Sequence, residues 1–258
     1  MVAAQRPIEI AGSTYVKGEA MNRRSTLILL AWLMAGAAAA YSQPAPQGPA
    51  TENYVLVILK RAPNAPALDK SAGDKLQEAH MANIRKLHSE GKLVAAGPFT
   101  ENGDLSGIFV LKTNSPDEAK QWTETDPSIQ QHRLLAEYHV WPQPPGTFSS
   151  PPADNPMQDY LVVLYLRGPK FRPVSPAVMP LLQRHLNYMH GLVSQGKIVA
   201  VAPFRDEPES ADLLGVYFVP GKDQDAAQQI VAQDPLVAEG QVRAEIHSWM
   251  TQKGVLAH

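Results

Sequence analysis

The chain has 258 residues, of which 44% are apolar and 19% charged, and its net charge is −2. That length allows one or two domains of roughly 100–200 residues each. The absence of cysteine excludes disulfides, cysteine-ligated zinc, thiol nucleophiles and a lipidated cysteine, and the balanced charge speaks against a nucleic-acid-binding surface or an acidic disordered tail.

Met21-Asn22-Arg23-Arg24 forms a short basic segment ahead of the apolar run Leu27–Ala40. At about 14 residues the run has the length of a signal-peptide core and falls short of the ~20 residues a membrane-spanning helix needs. Small residues follow, and cleavage fits after Ala40 or after Ser42, the latter leaving Gln43 first. Residues 1–42 therefore read as a cleavable export signal with an upstream segment, and translation from Met1 or from Met21 accords with it. The expected location is periplasmic or secreted, with no membrane attachment after cleavage; an uncleaved N-terminal anchor is the alternative. Residues 43–52 (QPAPQGPATE) read as a flexible linker.

Tyr54–Leu59 is a run of aliphatic, β-branched and aromatic residues and predicts a buried strand. Leu76, His80, Ile84 and Leu87 recur at helical spacing, and Gly91 stops that helix. Strands are predicted over Lys92–Pro98 and Gly107–Lys112, then a helix over about Ser115–Thr125 with Ser115 as N-cap and Pro116 in its first turn. Asp126-Pro127 ends it, because the residue before proline avoids the helical region. Leu134–Trp141 is the last strand of the unit.

The series then recurs. His80–Phe99 (HMANIRKLHSEGKLVAAGPF) aligns with His185–Phe204 (HLNYMHGLVSQGKIVAVAPF) at an offset of 105 positions (185 − 80), which also joins Gly91 to Gly196 and Pro98 to Pro203. From Gly107 and Gly215 onward the offset is 108 (215 − 107), joining Asp126-Pro127 to Asp234-Pro235, Glu137 to Glu245, His139 to His247 and Trp141 to Trp249. The difference falls in a polar loop (RDEPESADLL), where insertion costs little. Copy two thus has predicted strands Tyr160–Leu166, Lys197–Pro203, Gly215–Val219 and Val242–Trp249. Its first helix carries Leu181, His185, Met189 and Leu192, with Ser175 as N-cap, Pro176 at N1 and Gly196 as stop; its second covers about Asp223–Gln233. The units span 53–141 and 159–250, with a proline-rich spacer over 142–158 and a tail over 251–258. Each has the order βαββαβ, the ferredoxin-like split pattern, so the fold class is α+β.

From the mid-helix histidine through EGKLVAAGP to the late Asp-Pro, both copies resemble the YCII-related domain family. Copy two departs from it at Ala202-Pro203, where the family favours Gly-Pro, and Ser128 and Leu236 stand where an aromatic often follows Asp-Pro. The resemblance implies a dimeric α/β barrel in which two such units pair their sheets face to face. In tandem, that pair forms within one chain, which predicts a monomer with pseudo-two-fold pairing of its halves. The resemblance also implies a catalytic His–Asp pair and chemistry on small cyclic compounds.

In that fold the end of the second helix approaches the first half of the first, bringing Asp126 toward His80 and Asp234 toward His185. A carboxylate can fix an imidazole tautomer and make the ring a general base. His80, Asp126, His185 and Asp234 are therefore the candidate catalytic residues. The plainer reading is a satisfied core histidine beside an aspartate that ends a helix. Period-2 alternation sets Glu137, His139 and Trp141, and likewise Glu245, His247 and Trp249, on one face of the last strands. If the other face meets the helices, this one meets the partner sheet and is a candidate substrate-binding surface; interface packing is the alternative. The histidine spacings do not place two metal ligands at i, i+4, and no glycine-rich phosphate loop or Gly-x-Ser-x-Gly elbow occurs, so neither metal nor cofactor is expected. Two functions follow. One is an enzyme that uses His/Asp acid–base proton transfer, by elimination or isomerisation, on a small cyclic organic molecule. The other is a non-catalytic small-ligand or protein-binding module of the cell envelope. The intact Gly97-Pro98 ranks copy one ahead of copy two.

Overall fold

The computed structural model describes residues 50–152, 155–205 and 212–256. The export signal expected over 1–42 and the middle of the lengthened loop lie outside the described residues. The first unit contains β1 (Glu52–Arg61), α1 (Lys70–Ser89), β2 (Leu93–Pro98), β3 (Leu105–Leu111), α2 (Pro116–Thr123), α3 (Pro127–Gln130) and β4 (Leu134–Gln143). The second contains β5 (Met157–Arg167), α4 (Met179–Ser194), β6 (Val199–Pro203), β7 (Leu213–Pro220), α5 (Gln224–Gln233), α6 (Pro235–Ala238) and β8 (Val242–Gln252). Each forms an antiparallel four-stranded sheet, ordered β2-β3-β1-β4 and β6-β7-β5-β8. The fold is α+β, two ferredoxin-like units in tandem.

The central strands are apolar throughout because both of their faces are covered. In β1, Val55, Val57 and Leu59 cluster with Leu87 of α1 and Ala119 of α2. Tyr54, Leu56 and Ile58 cluster instead with Tyr160, Val162 and Leu164 of the other sheet. The two sheets meet at both edges. Beside β8, the Thr100 amide donates to the Ser248 carbonyl (2.9 Å), Trp249 Nε1 to the Gly97 carbonyl (2.9 Å) and Thr251 Oγ1 to the Ala96 carbonyl (2.8 Å). At the other seam, the Arg205 amide donates to the Val140 carbonyl (2.8 Å) and Trp141 Nε1 to the Ala202 carbonyl (3.2 Å). The eight strands close into a barrel filled by Trp141, Trp249, Tyr54, Tyr160 and Phe218, none more than 2% exposed. The proline-rich segment contributes Phe148, edge-on to Tyr54 at 4.8 Å and bridged to Leu256.

Helix ends explain where the candidate histidines and aspartates fall. Gly91 (φ 70°) and Gly196 (φ 66°) take the left-handed conformation that side chains resist. In each case the following lysine amide reaches back to the last turn, Lys92 to the Leu87 carbonyl and Lys197 to the Leu192 carbonyl, closing a Schellman motif. Asp126-Pro127 and Asp234-Pro235 end α2 and α5, but each also starts a one-turn helix that hydrophobic periodicity does not reveal. There the aspartate side chain accepts from the Ser128 or Leu236 amide, at 2.8 Å in both copies. One expectation needs correction: Ser175-Pro176 does not cap α4. Ser175 to Val178 forms a turn, and the helix begins at Met179 with no side-chain cap. Pro180 has no amide hydrogen to complete a bond to the residue four positions earlier, so it occupies the first turn, where no such bond is needed.

Candidate functional site

In copy one, His80 in the middle of α1 meets Asp126 at the α2–α3 junction, with Nδ1 2.6 Å from Oδ2. The Asp126 side chain is fully buried, while that of His80 retains 15% exposure. The cap to Ser128 occupies the other carboxylate oxygen and so fixes the direction in which Asp126 points. A carboxylate accepting at Nδ1 holds the neutral ring's proton there and leaves the lone pair on Nε2. The ring lies stacked at 6.1 Å over Phe109 of β3.

In copy two, His185 Nδ1 lies 2.9 Å and 2.8 Å from the two Asp234 oxygens, and Asp234 is again fully buried. Here the carboxylate has a further partner, the hydroxyl of Tyr165 from β5, which donates to Oδ2. Tyr165 packs edge-on against Tyr217 of β7 at 5.3 Å, and the Tyr188 hydroxyl donates to the Ile230 carbonyl at 2.9 Å. Burial above all, then the neighbouring Tyr217 and Asp234, pushes the Tyr165 phenol far above its ordinary range; burial does the same to Tyr217. Sequence reasoning missed both tyrosines. Their signal lay in the repeat: Leu59 and Phe109 stand at the aligned positions of copy one.

These raised phenols predict a pH dependence. A group whose pKa is higher folded than unfolded stabilises fully below its unfolded value, near 10 for tyrosine, and loses that contribution as pH climbs through the folded value. Urea midpoints should therefore hold steady to about pH 9.5 and fall above about pH 10. The Tyr165→Phe chain should fall less steeply; an identical slope would assign the alkaline loss to other groups.

A shallow cleft of about 290 Å³ lies beside the first His–Asp dyad, with mostly apolar walls from Leu68, Ala72, Leu76, Ala79 and Pro127 and polar contributions from Lys75 and Gln131. His80 is not part of its wall but follows Ala79 directly and lies one turn beyond Leu76.

The six residues on the last strands face the other sheet, as alternation implies. Register places Trp141, His139 and Glu137 opposite Tyr54, Leu56 and Ile58, whose side chains point into the barrel. Trp141 and Trp249 are buried at 0% and 1% exposure, with their N–H groups bonded across the seams. His139 stacks on Phe204 at 4.5 Å. His247 Nδ1 bonds Glu101 of the other copy, whose second oxygen accepts from the Ser248 amide at 3.2 Å. Glu137 pairs with Lys60 at 2.5 Å, and Glu245 pairs with Arg243. The structure therefore keeps the two candidate constellations apart: the dyads lie on the helix side of each sheet and this set on the barrel side. Among the described residues no three histidine, aspartate or glutamate side chains gather as a metal site.

The profile of the YCII-related domain family matches residues 54–144 and 163–250. No curated protein matches the chain. Among solved structures, a mutant chlorite dismutase from Candidatus Nitrospira defluvii aligns with a TM-score of 0.53 at 8% identity, over 79% of this chain and 92% of that one. A heme-binding protein from Thermus thermophilus aligns with a TM-score of 0.50 at 15% identity, over 82% and 95%. At such identities the likeness shows the fold, the dimeric α/β barrel formed here by two halves of one chain.

Proposed function

The chain belongs to the YCII-related domain family, and from that premise we propose that it is an exported enzyme that moves a proton on a small cyclic organic molecule, by elimination or isomerisation. One observation carries the reading: His80 Nδ1 lies 2.6 Å from a fully buried Asp126, beside a mostly apolar cleft. Nε2 then has a lone pair with which to take a proton from a carbon activated by a neighbouring carbonyl. The C–H electron pair passes into the enolate. In an isomerisation the imidazolium returns the proton to another carbon of the conjugated system. In an elimination the enolate collapses to expel the leaving group, and the imidazolium gives its proton to that group or to water. Asp126 orients the ring throughout.

A cleft of about 290 Å³ suits a small ring, at the lower end of the volumes ligand pockets span. The basic and apolar segments of residues 21–40 support export, and the filled pairing face of each copy supports a monomer. No helix among the described residues is long and apolar enough to cross a membrane. Haem, which one structural neighbour binds, does not fit this chain. Aromatic side chains fill the barrel, Met189, Leu192 and Ile230 fill the helix layer over the second sheet, and the cleft beside His80 is too small for a porphyrin.

The alternative, a small-ligand binding module of the cell envelope, rests on His80 standing outside the cleft wall. A thermal-shift screen against small cyclic acids, lactones and halophenols separates the two. A compound that binds the native state raises the melting temperature by mass action. The enzyme reading expects a hit that the His80→Ala, His185→Ala double variant loses. A hit that survives that variant undiminished supports the binding module.

A further inference from the structure

We propose that the two dyads are not equivalent and that Tyr165 is the positioning residue that separates them: by donating its hydroxyl to Asp234 it diverts that carboxylate from His185, so that proton transfer falls to His80. The assignment of the reaction rests on the proposed function; the role of Tyr165 rests on geometry alone.

Asp126 serves one donor per oxygen, the Ser128 amide on Oδ1 and His80 on Oδ2. Asp234 serves three donors, the Leu236 amide, His185 and Tyr165. A carboxylate's charge is finite, so each added donor weakens the charge-assisted bond to the others. The distances agree. His80 makes one contact of 2.6 Å, whereas His185 is split between two oxygens at 2.8 and 2.9 Å.

Tyr165 has no easy way to release Asp234. Its ring is held edge-on by Tyr217, and both are buried. The adjoining Tyr217 offers only a neutral phenol, a weaker acceptor than a carboxylate. His185 faces Asp234 from the α5–α6 junction and the Tyr165 ring from β5 at 6.0 Å; Tyr217 from β7 packs behind Tyr165, and Tyr188 on the histidine's own helix lies within electrostatic reach of Asp234. Copy one has no hydroxyl at either strand position, since Leu59 and Phe109 stand there. The copies thus share the dyad and differ at these two strand positions, on the helix side of each sheet.

Two-bond ¹H–¹⁵N correlation spectra of the full chain test this, because they read each imidazole nitrogen through non-exchanging ring protons. In the native chain the His80 Nδ1 resonance should lie downfield of that of His185. Tyr165→Phe removes only the hydroxyl, and should move His185 Nδ1 downfield toward the His80 position while His80 stays in place. A His185 resonance that does not move, in a Tyr165→Phe chain with native melting behaviour, overturns the proposal. A second arm reads function: in the His80→Ala background, Tyr165→Phe should raise residual proton-transfer activity at least tenfold. If no compound is turned over by the native chain, the enzyme reading fails, while the resonance arm still decides the role of Tyr165.

Discussion

Gly97→Ala is expected to open the seam between β2 and β8 and to destabilise the chain by about 2–4 kcal/mol. A Cβ at Gly97 would sit 1.8 Å from the Met250 carbonyl oxygen, 2.9 Å from its carbon and 3.1 Å from Trp249 Cε2. Two of those atoms are backbone of the other copy, so no side chain can swing aside. The strands must separate, which strains the Thr100–Ser248, Trp249–Gly97 and Thr251–Ala96 hydrogen bonds together. Each such bond contributes roughly 0.5–1.5 kcal/mol, and overpacking alone costs about 1–3. At the opposite seam the aligned residue is Ala202, which already carries a Cβ while its carbonyl accepts from Trp141. Ala202→Gly should therefore cost only about 0.5–1 kcal/mol, the entropic penalty of glycine in a strand. Urea unfolding of the two variants measures the difference. Equal losses would mean that the seams are interchangeable, contrary to the close approach at Gly97.

Asp126→Asn should leave the fold intact and reduce proton transfer by about 100- to 10,000-fold. The amide has nearly the same volume and still offers an oxygen to cap Ser128. It also brings an NH₂ group, and with that oxygen on the cap the NH₂ faces His80 Nδ1. Two donors cannot share that contact, so the ring must take the other tautomer, with its lone pair on Nδ1 and the proton on Nε2, where a base needs none. Exchanging the charge-assisted bond for a neutral one should cost about 1–2 kcal/mol, readable by urea unfolding. Deuterium exchange from solvent into a bound carbon acid reads the functional loss. Activity within a factor of a few of native would show that Asp126 serves only as a helix cap.

Much of this architecture is legible because its causes are local. Tyr54–Leu59 and Tyr160–Leu166 read as strands since both faces are covered, and Gly91 and Gly196 mark helix ends since only glycine adopts that turn cheaply. The approach of Asp126 to His80 follows from the element order of the family fold. Other features depend on contacts between distant segments. The one-turn helices after Asp126 and Asp234 are too short for periodicity. The start of α4 is set by Pro180 rather than by Ser175-Pro176. Glu101 belongs to a turn without pattern, yet it reaches His247 in the other copy. Alternation predicts the barrel face of the last strands, but its Trp141 and Trp249 are buried in the inter-sheet core, which alternation alone cannot tell from the lining of a cavity. Tyr165 and Tyr217 read as ordinary strand residues until each copy is set against the other.

The most direct test of the central claim, that His80 is a general base, is solvent deuterium incorporation into a butenolide, followed by proton NMR at its acidic ring carbon. The native chain should accelerate exchange over buffer, and His80→Ala should abolish about 99% or more of that acceleration. Acceleration that persists at native rate in the His80→Ala, His185→Ala double variant would contradict the claim.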